Sequence, residues 1–146
     1  MYKALLHSHS GLRYIVLLFI LIVIVQSLIG WQRQRKFDGG HRRVSNISTW
    51  LLHIQWVVGI ALFFVSTKVL FDADTMKSTL LRFFTLEHPV MMLIATLLIT
   101  IGHLKAKAYT NYKSHKKLFW YNLVGLVIII AAIPWPFRAE LGTGWF

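Results

Sequence analysis

Four long apolar runs dominate this chain, separated by short polar stretches where lysine and arginine gather. Backbone in lipid has to satisfy its own hydrogen bonds, and ~20 residues of helix cross a bilayer core, so such runs fold as membrane-spanning helices. They predict spans at about residues 12–31, 48–68, 83–104 and 117–134. The fourth stops at Pro134 and Pro136, because proline gives no N–H to the helix ladder. The run from Tyr14 to Trp31 is too long for the core of a secretion signal and no small-residue cleavage site follows it, so a retained first span is expected. Ser45 and Ser48 are candidate caps for the second helix, and Asp74 or Thr75 for the third. The expected fold class is all-α: an integral membrane four-helix bundle, up-down-up-down, forming a single transmembrane domain over residues 1–146.

Charge sets the expected orientation. The net charge of +11 would suit nucleic acid, but the cations lie in loops between apolar spans, where they act as topology signals and contacts for anionic membrane lipid. The first loop holds Arg33, Arg35, Lys36, Arg42 and Arg43, and the third holds Lys105, Lys107, Lys113, Lys116 and Lys117. Both are expected on the cytoplasmic side, leaving the two termini on the outer, periplasmic side of a bacterial inner membrane. Tyr14, Trp31, Trp50, Trp120, Trp135 and Trp145 then form aromatic belts at the interfaces. With no cysteine, disulfides, thiolate metal sites and c-type haem attachment are excluded. No nucleotide loop, dehydrogenase motif or hydrolytic constellation is present.

The histidines carry what chemistry the chain has. His9 precedes the first apolar run and His88 opens the third, at one level of the bundle, and spans one and three are expected to be diagonal neighbours. Two neutral imidazoles on facing helices and a slot for a flat ring are what b-type haem needs. Pro89 removes a helix hydrogen bond and loosens the turn near Thr85, making room. Arg13 and Arg82 are candidate partners for haem propionates, with snorkelling arginine as the alternative. Glu87 is expected to orient His88, or to pair with Arg13 or Arg82. At the opposite level His53 has two candidate partners: depth favours His103, which is fifteen residues after His88, and the diagonal placement of spans two and four favours His115. A haem at each level would give an electron path across the membrane. The bland alternative leaves the inner histidines solvated among lysines, and His41 reads as a loop residue. Gly59, Ala61, Ala95, Thr96 and Gly125 would let helices or a ring approach closely. Gln55 and Asn122 are candidates for bonds across helices or to a quinone. A set of His7, His9, His88, Met91 and Met92 would suit copper instead.

The segments HSGLRY, LLHIQW, EHPVMMLIA, KSHKK and AAIPWPF together resemble the small four-helix cytochrome b-like membrane proteins of bacteria, over nearly the whole chain. The resemblance implies a haem-binding bundle, with His9, His53, His88 and His115 in the recurring segments. A weaker similarity is to one half of haem A synthase, whose glutamate-and-histidine spacing in an early helix is absent here. The expected function is membrane electron transfer by one or two haem b groups, between a quinol or another membrane redox protein and a partner. The alternatives are a non-catalytic accessory subunit of a larger complex or homo-oligomer, and an outward-facing copper protein.

Overall fold

A computed structural model describes residues 2–141 and Gly144; Trp145 lies outside the described residues. The chain is helical, with no strand among the described residues. Helix α1 covers Tyr2–Gln32 and α2 covers Gly39–Val65. The third span is built in three pieces: a single turn α3 (Thr79–Arg82), a π-helical stretch at Phe83–Glu87, and α4 (His88–Ala106). Helix α5 covers Tyr112–Ala132, and a short 3-10 turn follows at Ala139–Leu141. Four helical segments are thus long and apolar enough to cross a membrane.

Helix α1 starts ten residues before the apolar run does, so His9 sits two turns inside a helix rather than ahead of one. Residues 2–11 contain nothing that breaks a helix, and Leu5 and Leu6 continue its partly buried face. The expected caps are also displaced. Asp38, not Ser45 or Ser48, caps α2, its carboxylate accepting from the His41 amide at 3.0 Å. Both serines are buried a turn or more inside the helix. Ser78, not Asp74 or Thr75, caps α3, and Asn111 caps α5. Side-chain oxygens at these positions satisfy amides that a helix start leaves bare.

Helix α1 packs against α2 and α5, and α4 against α5 and α2, so α1 and α4 are diagonal, as are α2 and α5. Neighbours run in opposite directions: Gln55 of α2 reaches His9 of α1, Gly30 of α1 meets His115 of α5, and His88 of α4 meets Ala132 of α5. The α2–α4 seam is the loosest of the four. Val16, Ile20, Leu52, Ala95, Ile99, Leu126 and Ile129 close the middle of the bundle. Gly125 lets α4 and α5 approach, since a Cβ there would meet Ile99 Cγ1 at 2.6 Å. Leu18, Val25, Val57, Leu97 and Val127 point outward, each more than half exposed, as lipid-facing positions do.

Candidate functional site

Proline chemistry shapes one end of the bundle. Pro134 and Pro136 end α5, and each lacks the N–H that would close onto the carbonyl four residues earlier. Those carbonyls belong to Ile130 and Ala132, and both find side-chain donors: the Trp135 indole donates to Ile130 O at 2.9 Å, and His88 Nδ1 donates to Ala132 O at 2.7 Å. The bond fixes the His88 tautomer. Its Nδ1 carries the proton, and its Nε2 keeps a lone pair. Pro89 likewise frees the carbonyl of Thr85, and the ladder widens to π geometry over Phe83–Glu87, with the His88 amide closing onto Phe83 O. The Thr85 hydroxyl meanwhile accepts from the Leu70 amide at 3.1 Å and donates to Leu70 O at 3.3 Å, pinning the loop between α2 and α3.

Opposite His88, across the diagonal, stands His9. The two ring centres are 6.3 Å apart, with planes at 79°. Two imidazole nitrogens each ~2 Å from one shared metal ion would place their ring centres ~6 Å apart. The His9 ring lies on Gly59, where a Cβ would come within 3.0 Å of its Cε1. Gln55 spans from α2 to α1, its amide nitrogen donating to His9 O at 2.9 Å and lying 3.2 Å from His9 Nδ1. Both histidines line a cleft of about 500 Å³ walled by α1, α2 and α4, with Trp56, Phe63, Phe84 and Met92 among its apolar residues. That volume is in the ~300–1,000 Å³ range of cofactor and ligand pockets.

Two cations border the cleft. Arg13, one turn along α1 from His9, lies over the Tyr14 ring at 4.9 Å and reaches its hydroxyl at 3.1 Å. The other is Lys68, whose ammonium sits 4.8 Å over the Phe84 ring and whose pKa is pushed down by burial. Arg82, expected in this role, is not on the cleft lining; it forms an ion pair with Glu87 at 2.7 Å. Of the partners open to Glu87, the structure therefore selects Arg82, and Glu87 makes no bond to His88. Lys68 carried no signal in the sequence beyond its charge, since a lone loop lysine reads as solvated.

Apart from His7, the other histidines divide into two groups toward the opposite end. His53 donates from Nε2 to Thr100 Oγ1 at 2.9 Å, because that hydroxyl spends its own proton on Thr96 O at 2.7 Å. His103 is buried, with Nδ1 2.9 Å from Ser45 Oγ. His115 is fully buried but belongs elsewhere: its ring lies on Gly30 and against Phe37 and His41, with Nε2 3.4 Å from Lys36 O. Helix α5 thus turns His115 toward α1 and the first loop, not toward His53. His41 is no loop residue; it lies in the first turn of α2, 2.7 Å from the Asp38 carboxylate it helps hold below the usual carboxylate range. Asn122 bonds to Leu118 O within its own helix, whereas Gln55 does reach across helices. His7 is exposed, away from the cleft that His9 and Met92 line, and no three His, Asp or Glu gather as a metal-holding group among the described residues.

Fold and site together define a bundle of membrane-span-capable helices with a histidine-flanked apolar cleft at one end. No family model, curated protein or solved structure matches the chain.

Proposed function

We propose that the chain is a b-type cytochrome of a bacterial inner membrane, carrying single electrons between a quinol or another membrane redox protein and a partner. The reading rests on one observation: His9 and His88 face each other from diagonal helices across a cleft of cofactor size, with ring centres 6.3 Å apart. Bound there, haem supplies one-electron redox chemistry. His88 would hold it through Nε2, its Nδ1–H being tied to Ala132 O, the second bond that metal-ligating imidazoles usually make. His9 would hold the opposite side, with Gly59 leaving space for its ring. Arg13 and Lys68 would pair with the propionates, and the aromatic walls would exclude water. The proposal covers this level alone: at the other, His115 faces α1 and the first loop, and His53 and His103 are bonded to Thr100 and Ser45. By its cation distribution the chain is oriented with both termini and this cleft on the periplasmic side.

The test is the visible spectrum of protein purified from haem-supplied cells. A split reduced-minus-oxidised α and Soret signal near one haem per chain is expected. Colourless, metal-free protein would instead favour an accessory subunit, and copper without haem would favour the copper site.

A further inference from the structure

Gln55, on the cleft wall beside His9, has hydrogen bonding that is unfinished. Its amide nitrogen serves His9 twice, donating to the main-chain carbonyl at 2.9 Å and approaching ring Nδ1 at 3.2 Å. Its Oε1 is buried and makes no hydrogen bond. A buried amide oxygen without a donor is destabilising, so the arrangement favours any state that supplies one. His9 supplies it by changing tautomer. With the proton on Nδ1 and the terminal amide turned so that Oε1 replaces Nε2 beside it, Nδ1–H would donate to Oε1. The orphaned Oε1 then has a donor, and His9 Nε2 is left with a lone pair.

We infer that Gln55 is a positioning residue that selects the Nδ1–H tautomer of His9 and so makes its Nε2 a metal ligand. This rests on the haem reading of the cleft. It makes the two ligands alike in kind: Nδ1–H of His88 is held by a carbonyl freed by Pro136, and Nδ1–H of His9 by a side-chain carbonyl from the neighbouring helix. The acceptor on Nδ1 sets how basic the ligand nitrogen is, and with it the ferric–ferrous balance.

The experiment is redox titration of the haem-loaded protein with Gln55→Glu and Gln55→Leu. A carboxylate accepts more strongly from Nδ1–H and favours ferric iron, so Gln55→Glu lowers the midpoint potential. Gln55→Leu gives no acceptor and raises it. We expect opposite displacements, each about tenfold in the ferric-to-ferrous ratio at a fixed ambient potential, or ~59 mV. Haem content near one per chain in at least one variant is enough for the comparison. A carboxylate lowers the potential by its charge alone, so Gln55→Leu decides: an unchanged or lowered potential there overturns the inference while leaving the haem reading intact. Loss of haem from Gln55→Glu also overturns it, since that variant keeps an acceptor for Nδ1–H, whereas loss from Gln55→Leu alone supports it. Wild-type protein without haem sinks the reading and the inference together.

Discussion

At the residue scale, much of the site follows from hydrogen bonds that proline cannot make. Pro134 and Pro136 are plain in the sequence as a helix stop, and the carbonyls they orphan are named by subtraction of four: Ile130 and Ala132. That a histidine from another helix takes up one of them needed the packing. The pairing of His9 with His88 was legible because both fall at one level of an alternating bundle. The choice between His103 and His115 was not, because it depends on how far each helix is rotated. His9→Ala and His88→Ala should each abolish a low-spin haem spectrum, since one imidazole cannot fill both axial positions; an unchanged spectrum in both would refute the site. Gly30 gives a test that needs no cofactor. A Cβ there would lie 2.5–2.7 Å from three atoms of the His115 ring. His115 is fully buried and has nowhere to retreat. Gly30→Ala should cost ~1–3 kcal/mol in thermal or denaturant unfolding in detergent. Adding His115→Ala should recover part of that loss, a coupling read directly from the double-mutant cycle.

At the element scale, hydropathy locates the middles of the helices and misses their ends. The apolar runs place all four spans, yet α2 begins nine residues before the expected 48, because polar residues continue a helix as readily as apolar ones once a cap starts it. Asp38 is that cap, and its carboxyl is held below the ordinary range by the amide and ring of His41. A depressed carboxyl stabilises the fold above the ordinary carboxylate range, and that stabilisation disappears as pH falls through the lowered value. Asp38→Asn keeps a capping oxygen and removes the titration. Wild type should therefore be the more stable near neutral pH, and the difference should shrink below about pH 4 and vanish only once the pH is under the lowered value. The π-helical stretch was visible only as a proline that loosens a turn; its extent over Phe83–Glu87 depends on the loop it holds. Thr85→Val removes both bonds to Leu70, worth ~1 kcal/mol each. Amide exchange at Leu70 should quicken about fivefold or more while the middle of α4 stays protected, and equal protection in both proteins would show the loop is held otherwise.

At the scale of the whole molecule, the fold gathers charges that the sequence keeps apart. The first and third loops are one end of the bundle, joined by the Phe37 amide donating to Thr110 O at 2.9 Å and by Lys116 lying 5.3 Å over Trp31. That end carries ten cations and one carboxylate, whereas the histidine cleft shares its end with six cations and four carboxylates. Cations near span ends resist translocation, and carboxylates count for little, so the proposed orientation puts the cation-rich end in the cytoplasm. The bundle length agrees with two separate interfaces: His9 and Gly30, at the two levels of α1, are 21 residues apart and so ~31 Å along the helix, about one hydrocarbon core. The exposed residues Gly40 and Asp74 then lie on opposite sides of the membrane. With a thiol reagent that cannot cross lipid, Asp74→Cys should label in intact spheroplasts and Gly40→Cys only after the membrane is opened. The absence of native cysteine makes each signal unambiguous. Labelling in the reverse order would put the cleft at the cytoplasmic leaflet, and its electron partner would have to be sought there. Labelling of both in intact spheroplasts would mean that α2 does not cross.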